Sequence, residues 1–221
     1  MTQIMYKDIK DNSEINTYLQ KGNELLGVLG FTEHSLKHAS KVAEAAGTIL
    51  LQLGYSEREA ELVKIAGYIH DIGNVVNRVD HAQTGAILAF NILTRLQMNP
   101  KEIALIIAAI GNHDESTGSA VNTISSALIL ADKTDVRRSR VRNSDFATFD
   151  IHDRVNYAVE SSEIKINPDK RTVLLDLQID TTIVSVIDYF EIFLARMLMC
   201  RRAANFLDAK FELMINEAKL L

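Results

Sequence analysis

Only Pro100 and Pro168 interrupt the 221 residues of this chain, and all ten glycines lie between Gly22 and Gly118. Helices can therefore run wherever the apolar pattern asks for them. The pattern asks for them over most of the first 145 residues. Leu36, Ala39, Val42, Ala43, Ala46, Ile49 and Leu50 keep a helical period, and Gly54 stops it. Ser56 then reads as a helix N-cap with Glu57 and Glu59 in the first turn, where the dipole favours acids. That helix is expected to run through Leu62, Ile65 and Ile69 and to end near Gly73. Further helices are expected over 80–96, from Asn99-Pro100 through Ile110 (a cap followed by proline at N1), and from Thr123 to about Val136.

The period changes after about residue 160. Ile164 and Ile166 alternate with polar neighbours, as do Val173, Leu175, Leu177 and Ile179. Asn167-Pro168-Asp169-Lys170 between them suits a type I turn, which predicts a β-hairpin with residues 173–179 burying their odd-numbered face. A long helix from about Thr182 to Ala218 is expected next, with Cys200 a small buried hydrophobe. The expected fold is mainly α, a helical bundle with a small C-terminal β-hairpin and a long C-terminal helix. The expected parts are an N-terminal helical segment over 1–31, a helical domain over 32–145, and a C-terminal hairpin and helix over 146–221. That last part is expected to pack on the domain or on a dimer partner.

Composition narrows the function classes. A single cysteine excludes an internal disulfide and a cysteine-cluster metal site. A net charge of −5 gives no electrostatic reason to expect nucleic-acid binding. The most apolar stretch, 183–200, contains Asp188, Glu191 and Arg196 and makes a poor membrane span. The opening MTQIMYKDIKDNSE lacks an apolar signal core, so a cytoplasmic protein is expected. Neither GxGxxG nor GxxxxGK[ST] is present, and no Glu-x-x-His of the ferritin-like di-iron type occurs.

Chemistry concentrates in the histidines. Five of six precede residue 114. His70-Asp71 places an imidazole beside a carboxylate at a helix end, a nitrogen–oxygen donor set suited to a divalent ion. His38 sits on the apolar side of its helix, and Asp132 ends the apolar run SSALILAD, where an unpaired carboxylate is expensive.

The order His38, His70-Asp71, Asp132, with HASKVAEAAG, AGYIHDIGN and ALILADKTDVRR around them, resembles the HD-domain metal-dependent phosphohydrolase superfamily. The resemblance covers roughly residues 32–142. It implies that His38, His70, Asp71 and Asp132 hold a first metal. Members with two metals carry two more histidines, and His81 in HAQTGAIL and His113 in AIGNHDE occupy those places. By that resemblance His81 and His113 hold a second ion with Asp71 bridging; otherwise they cap helices or contact substrate phosphate. Iron or manganese is the expected metal, with magnesium, cobalt, nickel and zinc also compatible. Paired ions can share a hydroxide that attacks phosphorus, which places Asp71 at the catalytic centre. Lys133 is expected at the site, and Arg137 or Arg138 to bind phosphate oxygens bidentately. His34, one turn before His38, is a candidate for facing substrate. His152-Asp153 reads as a solvated helix start, and Asp114 and Glu115 are candidates for the general acid.

The expected partner is a small phosphate substrate of nucleotide type, without nucleic acid or membrane, in a possible homodimer. Asn74 stands where the HD-GYP cyclic-dinucleotide phosphodiesterases carry lysine, and VVNRVD replaces their Gly-Tyr-Pro loop, which argues against that substrate. The symmetrical dinucleoside-tetraphosphatase branch is similar in the core through His81, Gly85, His113 and Ala131-Asp132, but does not account for the C-terminal part. Two other readings use the same residues: a di-iron HD-type oxygenase, and a non-catalytic nucleotide-binding regulatory module.

Overall fold

The computed structural model describes residues 3–221. Two short N-terminal helices come first, α1 (Tyr6–Lys10) and α2 (Ser13–Val28). The Asn12 side chain caps α2 by accepting from the Glu14 and Ile15 amides. A bundle follows: α3 (Leu36–Gln52), α4 (Glu57–Ile69), α5 (His81–Arg95), α6 (Pro100–Gly111) and α7 (Thr123–Lys133). The starts of α4 and α6 lie where the sequence signals placed them. Ser56 and Glu59 form a capping box on α4, and Asn99 caps α6 with proline at N1. Gly54 ends α3 with φ of 85°, a left-handed conformation that suits glycine.

α4 stops at Ile69, earlier than expected. His70 is its C-cap, and Ile72–Val75 form a short 3-10 turn that carries the chain toward α5. This break makes the metal-type cluster possible, because it turns Asp71 out of the helix and under the bundle.

The C-terminal part contains more strand and less helix than the sequence reading expected. α8 (Ile151–Ala158) leads into β1 (Val159–Asn167), which pairs antiparallel with β2 (Thr172–Ile179). Val173, Leu175, Leu177 and Ile179 are buried, as the alternation predicts. The long helix, α9, spans Val186–Phe206 and not 182–218. Residues after it form β3 (Lys210–Ile215), parallel to β2, and β4 (Ala218–Lys219), giving sheet order β1-β2-β3-β4. No glycine marks these turns. Asp208 with φ of 50° ends the helix, and Asn216 and Glu217 with φ of 48° and 67° make the final hairpin turn.

The core is continuous. One cluster of buried apolar side chains runs from Ile9 and Val42 through Leu128 to Phe193, Leu175 and Leu213. α9 packs on α7 and on β3, so the crossover helix of this β-α-β unit lies directly against the bundle. Cys200 is buried on α9, and burial pushes its thiol up to about 12. Among the described residues no helix is long and apolar enough to cross a membrane.

Candidate metal centre

His38 comes from mid-α3, His70 and Asp71 from the end of α4, His81 from the first residue of α5, His113 from just beyond α6, and Asp132 from the end of α7. The fold brings all six to one point under a cavity of about 260 Å³. His38, His70, Asp71, His81 and His113 are buried, and the Asp132 side chain is 10% exposed.

The four rings are oriented by one device. Nδ1 of His70 donates to Gly67 O at 2.7 Å, Nδ1 of His81 to Arg78 O at 3.0 Å, and Nδ1 of His113 to Ile110 O at 2.6 Å. Each acceptor is the carbonyl three residues earlier. His38 uses a side chain instead, donating from Nδ1 to Asp135 Oδ2 at 2.8 Å. A carbonyl or carboxylate oxygen accepts but does not donate, so each Nδ1 carries a proton and Nε2 is the ring atom left to face the cluster.

Those Nε2 atoms converge on Asp71. His70 Nε2 lies 3.2 Å and His38 Nε2 3.6 Å from Asp71 Oδ2, while His81 Nε2 lies 3.7 Å from Oδ1. Asp132 Oδ1 is 3.4 Å from His38 Nε2 and 3.5 Å from His70 Nε2. His38 Nε2, His70 Nε2 and Asp71 Oδ2 are buried with no hydrogen-bond partner. Leaving such atoms unsatisfied is costly. Two donors about 2.1 Å from one ion lie about 3.0–3.4 Å apart, close to the spacing seen here. His81 Nε2 and His113 Nε2 face each other at 3.2 Å. Two lone pairs at that distance repel unless a cation lies between them. Burial pushes His113 down to about 3 and also lowers His81, so neither ring readily takes up the relieving proton. The donor set suits divalent metal.

The surrounding charges support it. Burial alone would depress His70, but Asp71 and Asp132 outweigh it and push this ring up to about 10. Burial opposes ionisation of Asp135, yet the His38 hydrogen bond and the Arg140 charge hold it well below the usual carboxylate range. Asp135 also pairs with Lys41 at 2.7 Å and Arg137 at 3.0 Å. Sequence reading missed Asp135, although it lies only three residues after Asp132. We expect Asp135→Asn to weaken metal affinity about 10- to 100-fold with the fold intact; an unchanged affinity in a chelator competition would remove Asp135 from this role.

The other expected residues divide. His34 faces the cavity: its Nδ1 donates to Thr32 O at 2.8 Å, leaving Nε2 4.0 Å from Asp71 Oδ2. Lys133 also lines it, bound to Asp132 Oδ2 at 2.8 Å and Glu115 Oε2 at 2.7 Å. Arg137 and Arg138 do not line it. Arg137 turns back to Asp135, and Arg138 donates to Tyr157 O and lies over the Tyr157 ring. The arginines that do line it are Arg78, Arg140 and Arg196. Arg140 is buried with Nε on Glu33 O and Nη1 on Asp135 O, both at 2.9 Å. Arg196, on α9, is held by Glu115 at 2.8 Å. Glu115 is thereby occupied and, against its own burial, kept anionic by Lys133 and Arg196, which makes it a poor general acid. His152-Asp153 is the solvated start of α8, as expected, with Asp150 as its N-cap accepting from Asp153 N at 2.7 Å, and all three also line the cavity.

Helical bundle and histidine–aspartate centre together define a class, and comparison agrees. The HD domain profile matches residues 35–191, and the chain belongs to the HD-domain metal-dependent phosphohydrolase superfamily. It is 30% identical over 192 residues to the uncharacterized protein MJ1020 of Methanocaldococcus jannaschii, covering 76% of this chain and 73% of that one. It is 31% identical over 126 residues to ribonuclease Y of Desulforamulus reducens, 54% of this chain but only 23% of the relative. A crystal structure of a predicted HD superfamily hydrolase from an uncultured Thermotogales bacterium is similar at 24% identity with a TM-score of 0.44, covering 56% of this chain and 67% of that one.

Proposed function

We propose that this chain is a metal-dependent phosphohydrolase that cleaves a phosphoester or phosphoanhydride of a small nucleotide-like molecule. One observation carries the reading: the Nε2 atoms of His38, His70 and His81 converge on the two oxygens of Asp71 at the floor of a cavity walled by cations. His38, His70, Asp71 and Asp132 would hold one divalent ion, and Asp71, His81 and His113 a second. A bound ion of this kind acidifies water and neutralises charge on a phosphoryl group.

The chain's own residues account for the rest. Lys133 fixes the second oxygen of Asp132, so that Oδ1 stays directed at His38 and His70. Arg140, tethered on two sides by backbone carbonyls, presents its remaining N–H groups to the cavity at no cost in ordering. Asn74 donates to Asp71 Oδ1 at 2.9 Å and holds the carboxylate plane. A cavity of about 260 Å³ suits a small ligand better than a folded polymer.

The test is metal content of anaerobically purified protein, followed by phosphate release from mono- and dinucleotides and from RNA. Two iron or manganese ions per chain with release from a nucleotide support the proposal. Oxygen consumption without phosphate release selects the oxygenase reading. Cleavage of RNA alone moves the substrate to a polymer, as the relative's name says of ribonuclease Y.

The raised His70 gives a pH signature. In the metal-free protein its stabilising contribution is fully present below about pH 6.5 and is lost as pH rises through about 10. Metal must displace that proton, so affinity rises with pH over the same window. Tm of the metal-free protein should fall between pH 6.5 and 10, while the Tm gain on adding metal grows. Parallel pH curves with and without metal would contradict the assignment.

A further inference from the structure

We infer that the mouth of this cavity is a nucleobase subsite with Phe31 as its stacking platform. The inference rests on the phosphohydrolase reading for the phosphate end only. The rim carries the rest.

The cavity has two chemically different ends. Its floor is Asp71, His81, His113 and Asp132 with Lys133 and Arg140; its lip is Leu29, Gly30 and Phe31. Leu29 is 62% and Phe31 42% exposed. They are not on a loose loop. Phe31 N donates to Leu26 O at 2.9 Å and Gly30 N to Gly27 O at 3.2 Å, with Gly30 at φ of 80°, so the end of α2 fixes the backbone that carries the ring. A rigid apolar surface left open at a charged cavity is a site for an apolar group of the ligand.

Arg78 joins the two ends. Its guanidinium lies over the Phe31 ring, 5.8 Å from the centroid, and its Nη1 is 3.8 Å from Asp71 Oδ1. One side chain therefore spans from the centre to the aromatic lip, which sets a flat group about one arginine's reach from the phosphate. Another part of the lining selects among apolar groups. α8 presents Asp150 and Asp153 there. Carboxylates repel phosphate but accept from hydroxyl and amino groups. An alkyl chain offers these carboxylates no donor, whereas the sugar hydroxyls and amino groups of a nucleoside do. A planar base on Phe31 gains stacking whatever its sequence identity.

The chain contains no tryptophan, so Phe31→Trp creates a single fluorescent reporter at the lip. Adenosine and guanosine monophosphate should quench it saturably; ribose 5-phosphate, octyl phosphate and inorganic phosphate should not. Phe31→Ala should weaken nucleoside monophosphate binding, measured calorimetrically, about 5- to 150-fold, and bring its affinity close to that of ribose 5-phosphate. No quenching by nucleotides, or equal quenching by octyl phosphate, overturns the subsite. Quenching by nucleotides without phosphate release from any of them leaves the subsite standing and sinks the hydrolase reading. Release from ribose 5-phosphate with no nucleotide quenching does the reverse.

Discussion

Asp71→Ala is expected to empty the centre of metal and to lower phosphate release by on the order of 10²–10³-fold or more, the effect of removing one charge-stabilising group. Asp71 is the only one of the six whose two oxygens address both sets of imidazoles, His38 and His70 on one side and His81 on the other. On the two-ion proposal its loss would affect both ions, whereas loss of His81 would affect one. Asp71→Asn keeps the volume and the bond to Asn74 while deleting the charge, so it separates loss of metal from loss of fold. Metal content by mass spectrometry and Tm in chelator are the readouts. Wild-type metal content in Asp71→Asn would refute the bridging assignment.

Gly73→Ala should be strongly destabilising. An added Cβ would overlap the His81 carbonyl oxygen and approach Gly85 N to 2.6 Å and Thr84 Oγ1 to 2.7 Å. The obstacle is mostly backbone, the first turn of α5 lying against the 3-10 turn after Asp71, so a rotamer change does not relieve it. We expect a loss of about 3 kcal/mol, or about 6–12 °C in Tm, with His81 displaced. Gly111→Ala is the control, since its Cβ meets only Ala86 Cβ at 3.7 Å. A Tm for Gly73→Ala within about 2 °C of wild type would show that α5 yields without cost.

The bundle was legible because its boundaries are local chemistry. Ser56-x-x-Glu59, Asn99-Pro100 and Gly54 act within one turn. The gathering of His38, His70, Asp71, His81, His113 and Asp132 was legible through motif order. The last strands were not. Phe211, Leu213 and Ile215 alternate correctly, but no glycine or proline separates them from α9, and Asp208 takes the left-handed turn instead. Arg137 and Arg138 were misplaced because the helix ends at Lys133 and the chain then leaves the helical period, which brings Arg140 to the cavity. The rim was illegible for a different reason. Phe31, Arg78 and Asp153 are far apart in sequence, and only the fold makes them neighbours of one space.

Three of the four imidazoles hang from their own backbone, three residues back. Their aim depends on helix geometry and on few neighbouring side chains. The lip and walls are built from Leu29, Phe31, Arg78, Asp153 and Arg196, which can be exchanged without retuning that aim. Floor and rim are thus separable inheritances. A chain of this design can change what it recognises by drift at the mouth while its reactive centre stays fixed, and substrate choice becomes an evolvable trait decoupled from chemistry.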